Sequence, residues 1–254
     1  MRALVTGAGK RLGRALALHL AKEGYDVAVH YCSSGTEAAA VVAEIRALGR
    51  QAVGLQADLL DPAQTRALLP QAAQALGGEI TCLVNNASIF EPDSVLDATE
   101  ESWRRHFGSN LQAPFLLIQA MAAQGIQAVS DEHGEPGAAG LVVNMVDQKV
   151  QNLSPDFMTY TLAKSALWTL TQTAAQTLAP HIRVNAIGPG PVLANVHQSP
   201  EEFAKQRAGT ILKRGANAGD VTAALSYLLG ASAVTGQLIC VDGGQHLVWE
   251  NRGA

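Results

Sequence analysis

Tyr160 and Lys164 stand four residues apart, and Asp147 lies thirteen residues before the tyrosine. On a helix, a spacing of four projects both side chains from one face, one turn apart. Ser154 and Pro155 suit the start of that helix, Ser154 as N-cap and Pro155 in the first helical position. Asp147 follows the apolar run Leu141–Val146, which reads as a strand. Open α/β sheets gather their chemistry at the C-terminal ends of strands. A carboxyl, a phenol and an ammonium meeting there can deliver protons to a reacting group. A bare Tyr-x-x-x-Lys also occurs on ordinary helix surfaces, so the surrounding elements must decide its meaning.

The elements that would position these groups alternate between strand and helix. Ala3–Thr6 reads as a buried strand, followed by Gly7-Ala8-Gly9-Lys10-Arg11-Leu12-Gly13 and an amphipathic helix to about Glu23. Gly7 permits a tight turn, Gly13 allows close helix packing, and the helix N-terminus offers free N–H groups to a diphosphate. Leu12 occupies the third glycine position of the usual dinucleotide fingerprint. The next strand, Asp26–Tyr31, runs into Cys32-Ser33-Ser34 without an acidic residue to hold a ribose 2′-hydroxyl. Lys10, Arg11, His30, Ser33 and Ser34 are instead expected to converge on a 2′-phosphate, which favours NADP over NAD.

A helix over Thr36–Leu48, a strand Gln51–Gln56 and a helix ending near Leu76 continue the pattern. The strand Thr81–Val84 leads into Asn85-Asn86-Ala87-Ser88, and Ile182–Ile187 into Gly188-Pro189-Gly190-Pro191. Residues 191–215, with a short helix at Pro200–Arg207, read as a substrate lid. A helix Asp220–Leu229 and a strand Gln237–Val241 complete a parallel, doubly wound α/β sheet in one domain, 1–254. Right-handed crossovers then bring Gly7, His30, Asp58, Asn86, Asp147 and Gly188 to one sheet edge.

Composition narrows the partners. Of 254 residues 16% are charged and the net charge is −4, with no basic stripe to suit nucleic acid or an anionic membrane. Cys32, Cys82 and Cys240 are odd in number and widely spaced, which suits neither a disulfide framework nor a metal site. No run approaches 18 apolar residues and strand residues begin at Ala3, so a cytoplasmic protein is expected. His133, with Asp131, Glu132 and Glu135 around it, reads as a solvated loop and not as a metal cluster. No Asp, Glu, Lys or Arg falls between Arg105 and Asp131, or between Lys164 and Arg183. Helices so poor in charge point to a homo-oligomer, a tetramer or dimer, packed through residues of about 101–124 and 156–178. Leu247, Val248 and Trp249 in the tail His246–Ala254 are expected to cover an apolar surface.

Taken in order, Thr6-Gly7…Gly13, Asp58, Asn85-Asn86-Ala87, Asn110, Tyr160-x-x-x-Lys164, Gly188-Pro189-Gly190 and Asp242-Gly243-Gly244 resemble the short-chain dehydrogenase/reductase family over nearly the whole chain. The resemblance implies a Rossmann-like seven-stranded parallel sheet and a nicotinamide cofactor. It places Gly7 to Gly13 at the diphosphate, Asp58 and Leu59 at the adenine, and Asn86, Ala87 and Ser88 along the inner ribose and nicotinamide, with Pro189 and Gly190 nearby. It has Lys164 bonding the ribose and lowering the Tyr160 pKa, and Asn110 holding a water that feeds protons to Lys164.

Within that family the details resemble the pteridine reductases: Arg11 where most relatives carry glycine, His30-Tyr31, Asn85-Asn86-Ala87-Ser88-Ile89-Phe90 and Asn144-Met145-Val146-Asp147. Asp147 replaces a serine common in the family, and a carboxylic acid suits reduction of a C=N whose ring nitrogen must be protonated. Phe90 would offer a flat face to a pterin, with Ser88, Asp147, Tyr160 and Pro191 around it. Ser33 departs from the arginine usual in pteridine reductases. The expectation is an NADPH-dependent reductase of a pterin of dihydropterin, dihydromonapterin or folate type. The alternatives are a reductase of small ketones, 3-oxoacyl thioesters or quinones, and an NADP-binding protein without chemistry.

Overall fold

Seven short apolar runs form one parallel sheet because both of its faces are covered by helices. The computed structural model describes residues 1–194 and 198–249. The strands are β1 (Arg2–Val5), β2 (Asp26–Tyr31), β3 (Ala52–Gln56), β4 (Cys82–Asn85), β7 (Gly140–Met145), β8 (Ile182–Pro189) and β9 (Leu238–Val241); a separate two-residue hairpin joins β5 (Val129–Ser130) to β6 (Pro136–Gly137). The sheet order is β3-β2-β1-β4-β7-β8-β9, every neighbouring pair parallel. Side chains alternate between faces. Ala3, Val5, Val27 and Val29 pack under α1 (Arg11–Lys22), α2 (Gly35–Ala47) and later α8 (Ala218–Gly230). Leu4, Ala28, Leu83 and Val142 point to the other face, under α3 (Pro62–Leu76), α5 (Ala113–Ala122) and α6 (Met158–Leu178). Strand order reverses between β1 and β4, which opens a crevice beyond their C-terminal ends.

Two elements differ from expectation. The helix of about 101–124 is three pieces: α4 (Glu100–Phe107), a π-helical turn over Gly108–Gln112, and α5. Pro114 lacks the N–H that would bond the Asn110 carbonyl, and the widened turn accommodates that loss. The helix carrying Tyr160 starts at Met158 and not at Ser154, because Phe157 adopts a left-handed φ of 59° at its N-cap. Ser154 Oγ accepts a hydrogen bond from Lys149 Nζ instead. In the expected lid, α7 (Pro200–Ala208) begins with a Ser199/Glu202 capping box. The Arg207 guanidinium donates to the Pro191 and Ala216 carbonyls, tying the segment's two ends together. Residues 195–197 of that segment and the tail beyond Trp249 lie outside the described residues. No described helix is long and apolar enough to cross a membrane.

Candidate active site

Asp147 leaves the C-terminal end of β7 in extended conformation and caps a short 3-10 turn, its Oδ1 accepting from the Lys149 N–H at 2.8 Å. Its other oxygen, Oδ2, accepts from the Tyr160 hydroxyl at 2.8 Å. One turn along α6, the Lys164 ammonium is buried and donates to the Met145 carbonyl at 2.6 Å, 5.7 Å from the centre of the Tyr160 ring. Burial raises the Asp147 carboxyl pKa. Burial and the Asp147 carboxylate hold the Tyr160 phenol well above its ordinary value. Burial lowers the Lys164 ammonium to about 8, against the pull of Asp147. The expected lowering of Tyr160 by Lys164 is therefore corrected: the ammonium is bound to a carbonyl, while the phenol oxygen faces a carboxylate. Tyr160 is neutral at pH 7 and hydrogen-bonded as a proton donor, with the exposed Ser88 beside it.

The loop after β4 is held against α6 at several points. Asn110, fully buried in the π turn, accepts from the Ile89 N–H and donates to the Ile89 carbonyl, both at 2.9 Å. Its side chain fixes this loop through those two bonds. Phe90 stacks on Phe157 at 4.1 Å and meets the Tyr160 ring edge-on at 4.7 Å, so one of its faces is already covered.

Below this pair lies a buried polar chain that sequence reading missed. The Glu91 N–H donates to His106 Nε2, so Nδ1 carries the ring proton and donates to Thr159 Oγ1 at 2.6 Å. The Thr159 hydroxyl in turn donates to Asp93, which also accepts the Thr159 N–H at 3.0 Å. Three residues scattered across 66 positions gave no sequence signal beyond their polarity.

The crevice between β1 and β4 fits a dinucleotide. Gly7 has φ +62°, and a Cβ there would come within 3.0 Å of the Ala87 backbone; one on Gly13 would strike the Gly7 carbonyl. Thr6 Oγ1 accepts from the N–H groups of Asn86 and Ala87, and Asn86 Nδ2 donates to the Thr6 and Gly7 carbonyls. The N-terminus of α1 has no side-chain cap, which leaves N–H groups such as that of Leu12 for an anion. Asp58 is exposed at the end of β3, and Leu59 beside it is buried. Pro189 and Gly190 close the far side, where a Cβ on Gly190 would lie 2.6 Å from Asp242.

The expected 2′-phosphate cluster is only partly assembled. His30 is buried and accepts from the Gly7 N–H while its Nε2 bonds the Ala57 carbonyl, so it shapes the glycine turn and cannot reach a phosphate. Burial lowers its pKa and keeps it neutral. The Tyr31 ring packs against Gly35 and Gly54. Arg11, with φ +52°, reaches the opposite way and donates to the Leu193 and Ala194 carbonyls. Ser33 is exposed, Ser34 lies against Gly9, and Lys10 pairs with Glu37 at 2.6 Å. Lys10, Ser33 and Ser34 remain available to an anion there.

A cavity of about 210 Å³ opens between Phe90, Asp147, Tyr160 and Pro191 and also reaches Arg11, Pro189 and Gly190. Gln148, Lys149, Leu193, Gln198, Gln206 and Gln245 line it as well, and none of these was singled out from the sequence. Neutral amides carry no periodicity or charge signature, and three of them come from remote segments. No group of acidic, histidine or cysteine side chains suited to a metal occurs among the described residues.

Comparison with known proteins agrees with this geometry. The short chain dehydrogenase family profile matches residues 1–205. The chain is 32% identical over 250 residues to 3-oxoacyl-(acyl-carrier-protein) reductase FabG of Staphylococcus aureus, covering 96% of this chain and 98% of that protein. Among solved structures, FolM alternative dihydrofolate reductase 1 from Brucella suis, in complex with NADP, is 41% identical with a TM-score of 0.89, covering 99% of this chain and 97% of that one. A short chain dehydrogenase from Burkholderia cenocepacia, also with NADP, is 32% identical with a TM-score of 0.85, covering 96% and 97%. The crevice, the Tyr160–Lys164 pair and this full-length likeness together make the chain a member of the short-chain dehydrogenase/reductase family, an oxidoreductase.

Proposed function

We propose that this oxidoreductase reduces a C=N bond of a pterin with NADPH. The observation that carries the reading is the hydrogen bond from Tyr160 to Asp147, which puts a second acid where a ring nitrogen needs a proton. The likeness to the Brucella reductase supports it. The cofactor is NADP(H), which when bound supplies the hydride. Gly7, Leu12 and Gly13 would hold its diphosphate, Lys10, Ser33 and Ser34 its 2′-phosphate, and Asp58 and Leu59 its adenine. Ala87, Ser88, Lys164, Pro189 and Gly190 would hold the inner ribose and nicotinamide.

Tyr160 enters the reaction neutral and gives its proton toward the substrate nitrogen, the general-acid role its raised pKa suits. Asp147, its own pKa raised by burial, holds a second proton and passes it to the phenolate once Tyr160 has given its own to the substrate. Lys164 orients the ribose from one turn below. Arg11 closes the cavity toward Leu193, and the uncovered face of Phe90 receives the ring.

Replacing Asp147 with Ser tests this. The variant should lose dihydropterin turnover by about 100-fold or more, the usual size of a general-acid contribution, while NADPH affinity stays near wild type. Pterin turnover unchanged in Asp147→Ser would overturn the role. A second reading, reduction of a 3-oxoacyl thioester at the same Tyr160, is favoured by the relationship to FabG; under it Asp147→Ser keeps or gains carbonyl activity.

The protein is further proposed to be a homo-oligomer in the cytoplasm. Phe115 and Leu162 are exposed on the charge-poor helices α5 and α6, and a hollow of about 540 Å³ lined by Trp103, Arg104, Phe107, Leu111, Phe115 and Leu170 lies beside them. Patches of this kind suit a second copy of the chain. The three cysteines are free, which fits a reducing compartment.

A further inference from the structure

The cavity at Asp147 and Tyr160 has room for a bicyclic ring but, at about 210 Å³, falls short of the roughly 300–1,000 Å³ of a typical small-molecule site. It does not end there. A second cavity of about 270 Å³ shares Gln148, Lys149 and Gln245 with it, and continues outward past Asn152, Ser154 and Val248. The two cavities adjoin at Gln148, Lys149 and Gln245, where a substrate larger than the ring would extend from the inner into the outer one.

Among the described residues, Lys149 is the only ionisable one lining the outer cavity. Its Nζ donates to Ser154 Oγ at 3.0 Å and lies 5.3 Å from the centre of the Phe157 ring, the ring that backs Phe90. No carboxylate of the described residues forms an ion pair with it. An ammonium has three N–H donors, and the Ser154 contact uses one. The remaining described lining is neutral, the amides of Gln148, Asn152 and Gln245 alternating with Leu153, Pro155 and Val248, which accommodates an extended chain without repelling a negative one.

We infer that the substrate carries an arm ending in a carboxylate, which passes from the inner to the outer cavity between Gln148 and Gln245 and meets the Lys149 ammonium. This rests on the pterin reading and narrows it: a pterin with an anionic arm is preferred over one with a short neutral side chain. Lys149 is a specificity residue in this account, and its backbone N–H to Asp147 is retained whatever its side chain.

The test is steady-state kinetics of the intact chain with NADPH, using 7,8-dihydrofolate (anionic arm) and 7,8-dihydrobiopterin (neutral arm). Wild type, Lys149→Gln and Lys149→Arg are compared. Lys149→Gln should raise the KM for dihydrofolate about tenfold more than that for dihydrobiopterin, the loss of one charge-assisted hydrogen bond. Lys149→Arg should restore most of the difference. Wild-type KM for dihydrofolate should also rise with salt, and this dependence should weaken in Lys149→Gln. Equal KM shifts for both substrates, which a merely structural role against Phe157 and Ser154 would give, overturn the inference and leave the pterin reading standing. Wild-type enzyme inert toward both pterins overturns the pterin reading itself, and this inference with it.

Discussion

Burial acts on the three ionisable groups at Tyr160 in opposite directions, since it disfavours whichever form is charged. Asp147 and Tyr160 are pushed toward their protonated, neutral forms, and Lys164 toward its deprotonated one. Of the Tyr160–Lys164 pair, proton delivery needs the phenol protonated and the ammonium charged, so Lys164 bounds the pair's working range on the alkaline side. Its pKa of about 8 means that the ammonium is present at pH 7 and lost as pH rises through that value. Because kcat/KM reports groups of the free enzyme, it should fall on the alkaline side with a midpoint near pH 8. Tyr160, held well above its ordinary value, adds nothing to that limb. A profile measured with NADPH and flat to about pH 9.5 would contradict this assignment.

At the scale of elements, the site depends on the loop after β4 being fastened to α6. Asn110 grips Ile89, Phe90 stacks on Phe157, and Asp93, Thr159 and His106 join loop, helix and α4 in one buried chain. Thr159→Val removes the hydroxyl between His106 and Asp93 and leaves buried polar groups unpaired, at a cost of about 2 kcal/mol. The melting temperature should fall by about 4–8 °C and the pterin KM should rise as Phe90 loosens, while Thr159→Ser preserves both. A Thr159→Val protein that melts and binds like wild type would show that the chain fastens nothing.

These fastenings also mark where sequence reading stops. Most sheet strands are legible as apolar runs closed by Gly, Asn or Asp, and the Tyr160–Lys164 pair because helical spacing is local. The π turn left only Pro114 as its signal, and Phe157 gives no warning that it takes a left-handed φ. The phosphate cluster was misjudged at His30 and Arg11 for a related reason. Side-chain reach depends on partners distant in sequence: Ala57 for the first, Leu193 and Ala194 for the second. The amides Gln198, Gln206 and Gln245 reach the cavity only through the folding of the chain beyond β8.

For the whole molecule, the charge-poor face of α5 and α6 is where assembly and catalysis are expected to meet, because α6 carries Tyr160 on its inner side and Leu162 on its outer side. Phe115→Asp places a charge in that face away from the cavity. Light scattering after size exclusion should give a multiple of the 26.6 kDa chain for wild type and a smaller species for the variant. A wild-type mass of one chain would contradict the assembly. The most direct test of the central claim is the rate at which the intact enzyme oxidises NADPH with 7,8-dihydrofolate, set beside its rate with a 3-oxoacyl thioester. A kcat/KM higher for the dihydropterin is the result predicted from an acid at Asp147 bonded to Tyr160. Rapid turnover of the thioester with the pterin inert would contradict it, and would make Asp147 a replacement for serine in a carbonyl reductase.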